Sequence, residues 1–563
     1  MIRIFTLLFC YTLNIISANT QTLTVEIPQG HFNIDVANEL IVSRIDQIES
    51  YTNLENYEEV ILILGQTTYT FSATPASLVY STSYLVTDQD NFFTLYFTSL
   101  PIVSVAVNTE ILDEPKVPAF LTYADDTQLL VSSVGIELRG GSSLSHPKKT
   151  YDLEFWEDPS GAYNKAVQFG NMREDDDWIL DGLYNEPLRM RSHLAHKLWL
   201  EMHTPYYQDD EPAAKAGADV AFVELFINGA YKGLYNLSEQ VDRKLLKIKK
   251  FTTETRGELY KGVTWGGGTT FSSLPDYDNN SRLWGGYDFK YPKVTDIATD
   301  WTNIYNLIDF AINSSNNELS ENMWSYFQQE NYIDYFIFLN FLRASDNTGK
   351  NIFLTKYKQG EPYFLVPWDL DGVLGTNWQG HQDPVTIYPT RNVFNNRVID
   401  LNIDNYATVI ENRWVDLREN ILNTEHWQNK IEAQYQFFTT NKIYERESIV
   451  FPNYDFDDED LAYMQNWLNG RLAFLDEYFD DQMTALSSDN PENIVFLYPN
   501  PGRDKIYIKN IAFLENHSYE LFNTIGKCIQ KGEITNNFIP VTSLSPGRYT
   551  IVLDKVAHQL LVE

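Results

Sequence analysis

Short runs in which apolar and polar positions alternate dominate the first hundred residues, as in Glu59–Leu64, Thr67–Phe71 and Phe92–Phe97. A period of two marks strands with one buried face. Residues 21–100 are therefore expected to form a small β-rich domain, with one helical segment near Asp35–Asn53. From residue 101 to 485 the period switches repeatedly, which predicts one large α+β unit. Strands are expected at Val134–Arg139 and Thr150–Trp156 around a Gly/Ser/Lys loop, followed by an amphipathic helix at about Pro187–Met202. Phe222–Ile227 and Tyr231–Leu237 flank Asn228-Gly229, a dipeptide suited to the left-handed turn of a tight hairpin. Helices then prevail: Trp301–Asn313, Glu321–Gln329, the almost wholly apolar Tyr332–Leu342, and segments at about 405–445 and 459–484. A Ser/Asp/Asn/Pro cluster at Leu486–Asn493 marks a boundary. Beyond it, residues 494–563 hold only short β runs and turns, expected as a compact β-sandwich. No internal repeat is evident.

One further strand pair carries chemistry at its ends. Asn351–Tyr357 and Pro362–Trp368 read as a hairpin about the turn Lys358-Gln359-Gly360-Glu361. Cross-strand neighbours lie only about 5 Å apart, so this pairing puts Asn351 roughly opposite Asp369. Asp346, Asn351, Asp369 and Asp371 then offer oxygen ligands of the kind Mg²⁺ takes. An Asp and an Asn five apart on one loop are also working parts of a phosphoryl-transfer site. Acidic and amide residues at strand ends can equally serve only to cap turns. The apolar runs Tyr332–Leu342 and Pro362–Trp368 around them favour a site whose polar atoms emerge from a core.

Composition narrows the partners. At 563 residues the chain is long enough for two to four domains, and 43% hydrophobic with 14% aromatic residues excludes a mainly disordered protein. A formal charge of −35 argues against nucleic acid or an anionic membrane as main partner. A nucleotide pocket in such a chain needs its own cluster of cations. The loop Arg139-Gly140-Gly141-Ser142-Ser143 through Lys148-Lys149 supplies one, with glycines for close backbone approach and hydroxyls to donate. It lacks the P-loop order, and a solvated hairpin loop has the same composition. On the following helix Arg191 suits a phosphate or a carboxylate. His193 and His196 have the spacing of a metal pair but are expected as ordinary helix-surface residues. Asp455–Asp460 lacks the glycine and final glutamate of a calcium loop and reads as a helix start.

The first twenty residues read as a secretory signal peptide: Arg3, the apolar run Ile4–Ile16, then Ser17-Ala18 near a cleavage site. That run is short for a membrane span, and no other stretch approaches ~20 apolar residues. Cys10 falls inside it without the small residues of a lipoprotein box, and its removal leaves only Cys528. A mature chain with one cysteine has neither an intrachain disulfide nor a cysteine-rich zinc site.

Taken in order, the motifs resemble the spore coat protein H (CotH) family of atypical protein kinases. They are Leu100-Pro-Ile-Val-Ser, Arg139-Gly-Gly-Ser-Ser, Pro147-Lys-Lys-Thr-Tyr, Asp177-Trp-Ile-Leu, Arg191, Glu224-Leu-Phe-Ile-Asn-Gly, Tyr231-Lys-Gly-Leu-Tyr, Glu239, Asp346–Asn351, Pro367-Trp-Asp-Leu-Asp-Gly and Trp467–Phe474. The resemblance covers roughly residues 100–480. It implies a two-lobed kinase-like domain that binds ATP with Mg²⁺ and phosphorylates Ser or Thr of partner proteins at the cell surface or outside. It implies Asp346 as the base orienting the substrate hydroxyl, Asn351 and Asp369 as Mg²⁺ ligands, and Asp371 as an auxiliary ligand. Lys148 or Lys149 would reach the nucleotide phosphates with help from Arg139, Ser142, Ser143 and Arg191, and Glu239 would stand at the adenine hinge. The chain departs from the family pattern at Arg191-Ser192, where Arg-Asn is usual, and at Glu186, where Asp is usual; Glu186 could still pair a catalytic lysine. The tail, Val495-Phe-Leu-Tyr-Pro-Asn-Pro-Gly to Gly547-Arg-Tyr-Thr-Ile-Val-Leu, resembles the C-terminal sorting domain of type IX secretion, which implies export through the outer membrane and removal of the tail.

Two other readings stay open at this level. A catalytically inactive member of the fold would grip a nucleotide or partner without transfer. A carbohydrate-active enzyme would fit the 12 Trp and 36 Tyr, but needs two carboxylates across an open aromatic groove.

Overall fold

The computed structural model describes residues 21–453, 458–482, 496–498, 503–509, 517–523, 526–534, 537–553 and 556–562. The signal-peptide segment and the Leu486–Asn493 boundary lie outside these residues, as does part of Asp455–Asp460; the helix after it runs Asp458–Glu477. The chain is α+β and divides into two compact units. One comprises residues up to Asn395 with Arg413–Asp476, the other Asn396–Asn412 with Glu477–Glu563.

The first unit is built around a closed seven-stranded barrel. Its order is Leu129–Arg139, Thr150–Trp156, Asp177–Asp181, Ala230–Glu239, Val220–Ile227, Ile102–Val107, Val117–Ala124 and back to the first. Alternate residues point inward, so Val134, Ile136, Leu153, Phe155, Trp178, Leu180, Val223, Leu225, Tyr235 and Leu237 fill the interior. The Asn228-Gly229 hairpin joins two of these strands, with both residues at positive φ as a tight turn requires.

A second sheet follows, ordered Leu283–Trp284, Tyr287–Tyr291, Glu258–Gly262, Ile352–Lys356, Tyr363–Pro367. Its Leu259, Tyr291, Phe353, Phe364 and Val366 share one apolar cluster with Ile179 and Val241 of the barrel side. The helix Gln329–Leu342 backs the sheet and is buried from Asn331 onward, which explains its lack of a polar face. The helices expected at Glu321–Gln329 and Tyr332–Leu342 run Asn316–Tyr326 and Gln329–Leu342, so both begin earlier than expected and the first also ends earlier. Ser315 and Gln328 each cap a helix by accepting a backbone N–H, and Phe327-Gln328 separates the two.

Residues 22–98 form a seven-stranded sheet of their own. The helix expected near Asp35–Asn53 is absent; the segment holds the strand Leu40–Arg44, parallel to Phe92–Thr98, and short 3₁₀ turns. Both faces of that strand are covered. Ile41 enters the sheet's core, while Leu40 and Val42 meet Ile102, Phe226 and Tyr231 of the barrel. Burial on two sides erases the alternation that would have announced a strand.

The second unit contains a three-stranded and a four-stranded antiparallel sheet between Phe496 and Val562. Ile506, Ile508, Leu521, Ile539, Ile551 and Leu560 form their common core. Cys528 is free and exposed. Among the described residues no helix is long and apolar enough to cross a membrane.

A buried ion triad ties the barrel to the helix Ile443–Val450. Lys148 Nζ donates to Glu447 Oε1 at 2.5 Å and to the Leu234 carbonyl at 2.7 Å; Arg189 Nε reaches Glu447 Oε2 at 3.3 Å. Leu234 N–H donates to the same carboxylate at 2.6 Å. Burial opposes both charges and pushes the Lys148 ammonium down to about 8. It opposes the Glu447 carboxylate too, but Lys148 and Arg189 outweigh it and hold that carboxyl below its ordinary value. Gly233 makes room for this contact: it has φ +90°, and a Cβ there would meet Glu447 Oε1 at 2.0 Å. Glu447→Gln leaves two buried cations without a counter-charge and is expected to cost about 3–5 kcal/mol. Urea unfolding of the variant beside the parent measures it, and a loss below about 1 kcal/mol, the value of an exposed pair, would contradict the role given to the triad.

Candidate active site

A cleft of about 630 Å³ opens between the barrel and the second sheet. The barrel side contributes Arg139, Gly140, Gly141, Ser142, Ser143, Lys148, Asp152 and Asp181; the sheet side contributes Lys261, Lys290, Lys350, Asn351, Trp368, Asp369 and Asp371. The early cationic loop and the late oxygen-rich cluster thus face one cavity.

The loop after the Leu129–Arg139 strand turns sharply because Gly140 adopts φ +125°, where a Cβ would strike Ser143 Oγ at 1.7 Å. Ser143 Oγ donates to the Arg139 carbonyl at 3.3 Å. Arg139 pairs with Asp152 at 2.8 Å and stands 5.3 Å over the Trp368 ring.

The opposite wall is fixed by the hairpin. Ile352 pairs with Pro367 and Trp368 N–H donates to the Asn351 carbonyl at 3.0 Å, so Asn351 lies across from Trp368, one residue short of the expected Asp369. Asn351 and Asp369 then both take left-handed backbone, φ 53° and 54°. Asn and Asp tolerate that conformation better than other side chains. Asn347 locks the arrangement: its Nδ2 donates to the Asn351 carbonyl at 2.8 Å and the Trp368 carbonyl at 2.7 Å, while Tyr335 OH donates to the Asn347 carbonyl at 2.8 Å.

Asp346 adjoins the cavity without lining it. Its Oδ2 accepts from Asn351 Nδ2 at 3.1 Å and pairs with Lys350 Nζ at 3.0 Å. Asp371 accepts from Asn185 Nδ2 at 2.6 Å. Asp369 is open to the cavity's water, yet protein surrounds it in the cleft. That setting raises its carboxyl above the ordinary value against the pull of Lys261, Arg139 and Lys350. Burial and then the charges of Asp369 and Asp181 push Asp371 well up, and burial raises Asp181. Crowded carboxylates beside an amide oxygen make a hard, anionic donor set, the kind a divalent cation neutralises.

Other expected site residues are engaged elsewhere. Lys148 borders the cleft but its side chain has no exposed surface and is held in the ion triad. Lys149 Nζ donates to the Leu144 carbonyl at 2.6 Å, and the residue does not line the cleft. Arg191 is buried against Glu186 at 2.7 Å and the Leu374 carbonyl at 3.2 Å, so Glu186 serves an arginine and the N-terminus of that helix, not a lysine. Glu239 is buried, paired with Lys215 at 2.6 Å and bonded to the N–H groups of Arg173 and Asp219. It does not line the cleft. His193 and His196 are not surface residues. His193 stacks on Phe222 and bonds Asn236, His196 packs against Trp368, and burial pushes their imidazoles down to about 3 and about 4. Sequence reasoning gave no role to Asp181, Asn185, Lys261, Lys290, Lys350 or Asn347. Lys350 and Asn347 sit inside the motif Asp346–Asn351 itself, whereas nothing local marks Lys261.

A model of the CotH kinase protein family matches residues 136–475, more than half the chain, and the chain belongs to that family. The secretion system C-terminal sorting domain matches residues 496–561, which indicates export, interaction with the secretion machinery and attachment at the cell surface. No curated protein matches the chain.

The crowding has a pH signature. A carboxyl raised in the folded state stabilises it most below the ordinary carboxylate value, and that contribution is lost as pH rises through the raised value. In chelator-treated protein, Asp371→Asn is therefore expected to flatten the fall of stability between about pH 4 and 7, and added Mg²⁺ to raise the parent's unfolding temperature more than the variant's. Equal slopes in urea titrations of the two proteins would show that the repulsion is absent.

Proposed function

We propose that this chain is an exported atypical protein kinase that transfers the γ-phosphoryl group of ATP to Ser or Thr hydroxyls of partner proteins. The observation that carries this reading is the shared cavity, with Asn351, Asp369 and Asp371 on one wall and the Arg139–Ser143 loop on the other. Membership of the CotH kinase family supports it.

The donor set fits Mg²⁺. Asn351 spends its Nδ2 on Asp346, while its Oδ1 receives no hydrogen bond among the described residues; Asp369 and Asp371 add carboxylate oxygens. Bound there with a nucleotide, the cation would offset charge on the phosphate oxygens. The protein's own contribution is positioning. Asp346 directs Oδ2 to Lys350 and Asn351, which leaves Oδ1 to accept the proton side of an incoming hydroxyl and hold its oxygen toward the phosphorus. Lys350 holds that carboxylate in place. Arg139 and the hydroxyls of Ser142 and Ser143 border the space for the phosphates. Holding both reactants in one geometry supplies most of what phosphoryl transfer asks of a protein.

Labelled ATP with Mg²⁺, followed by mass spectrometry for autophosphorylation, tests the reading. Asp346→Asn is expected to lower transfer by about 10²-fold or more and to leave Mg·ADP affinity unchanged in calorimetry. Asp369→Asn is expected to weaken Mg·ADP binding itself. Transfer by both variants at the parental rate would refute the assignment, and nucleotide binding by the parent without any transfer would instead support an inactive, partner-gripping member of the fold.

A further inference from the structure

Five cations border the cleft, and four are committed to carboxylates. Arg139 pairs with Asp152 at 2.8 Å, Lys148 with Glu447 at 2.5 Å, Lys290 with Asp288 at 3.2 Å and Lys350 with Asp346 at 3.0 Å. Lys261 has no ion pair or hydrogen bond of its ammonium among the described residues. It projects from the central strand of the second sheet, paired across to Phe353, and stands over the rings of Trp368 at 5.7 Å and Phe353 at 5.9 Å. The charges that act on it are Arg139 and Lys290, which repel it, and Asp369 and Asp288, which attract it without pairing. Aromatic faces hold a cation without satisfying its N–H groups, so all three donors stay available. A half-buried, uncommitted ammonium facing a cavity is an anion site in search of its anion.

We propose that Lys261 is the principal phosphate-binding lysine of this cavity, in the role that the Pro147-Lys-Lys motif suggests for Lys148 or Lys149. The proposal rests on the nucleotide-binding reading above and names the group that recognises the polyphosphate. The cost of recruitment decides between the candidates. To reach a ligand, Lys148 would have to leave Glu447 and the Leu234 carbonyl, stranding a buried carboxylate beside Arg189. Lys149 is turned to its own loop. Lys261 breaks nothing and gains partners. Arg139, over the same Trp368 ring, is placed to share the ligand's charge.

Calorimetry of the full chain with Mg·pyrophosphate, Mg·ADP, adenosine and Mn²⁺ alone tests this. A lost charge-assisted hydrogen bond corresponds to about tenfold or more in affinity. Lys261→Met is expected to weaken pyrophosphate and ADP by that factor, to leave adenosine unchanged, and to bind Mn²⁺ as well as the parent or better. Lys261→Arg should recover part of the loss. Lys148→Met should lower the unfolding temperature and, where folded, keep pyrophosphate affinity. Parental pyrophosphate affinity in Lys261→Met would overturn the proposal, as would failure of the parent to bind either pyrophosphate or ADP. Loss of pyrophosphate binding in Lys261→Met from a parent that transfers no phosphate would uphold the site while removing the kinase reading.

Discussion

Five cross-strand pairs between Ile352–Lys356 and Tyr363–Pro367 decide where the side-chain oxygens of Asn351 and Asp369 stand. Every residue of Tyr363–Pro367 is buried, and Ile352–Thr355 are too, so the register is held from both faces by packing. A slip of one position would turn Phe353 and Val366 out of the cluster they share with Ile179 and Val241. That apolar constraint ends where the chemistry begins. Past the last pair both strands bend through left-handed residues, Asn351 and Asp369, and the Asn347 side chain bridges the carbonyls of Asn351 and Trp368. Strained backbone of this kind persists only where its surroundings over-determine it, and here two hydrogen bonds from one amide do so.

The cations of the cleft divide by what their partners demand. Glu447 is wholly buried and takes Lys148, Arg189 and the Leu234 N–H together, so a desolvated carboxylate is fully satisfied and the barrel is pinned to the Ile443–Val450 helix. Glu186 and Arg191 make a second closed pair, and Arg446 makes a third with Glu224, which also accepts from Tyr231. Breaking one partner of such a pair is far more costly than the pair is stabilising. Cations so held serve the fold. Those on the rim of the cavity, Arg139 and Lys350, are only partly buried and keep access to solvent, and the Lys261 ammonium has no carboxylate paired to it among the described residues.

Much of this was legible locally. The hairpin strands, the Asn228-Gly229 turn, the long apolar helix and the sequence positions of Asp346, Asn351, Asp369 and Asp371 follow from period, turn chemistry and the abrupt appearance of polar residues after apolar runs. What was not legible depended on distant partners. Lys148 reads as a phosphate ligand because the carboxylate that claims it lies 299 residues away. Leu40–Arg44 reads as part of a helix, not a strand, because it is covered on both faces and shows no alternation. His193 and His196 read as surface residues because their helix has charged neighbours, whereas most of that helix is buried, His196 included, and His193 is covered by Phe222. Lys261 carries no mark at all: its meaning comes from standing over the Trp368 and Phe353 rings with no carboxylate paired to its ammonium among the described residues, which only three dimensions reveal.

The charge pattern of the cleft argues for the kind of ligand that would quiet it. Burial first, and then neighbouring carboxylates (Asp369 on Asp181, Asp346 on Asp369, Asp369 and Asp181 on Asp371), raise the proton affinity of Asp181, Asp369 and Asp371, so the protein holds a local repulsion that packing elsewhere must offset. A bare anion entering the cleft would relieve Lys261 and worsen that repulsion. A lone divalent cation would relieve the carboxylates and crowd Arg139 and Lys261. A polyphosphate that brings its own divalent metal ion meets both walls with the opposite charge at once, and in a chain of net charge −35 no weaker complementarity would draw so anionic a molecule inward.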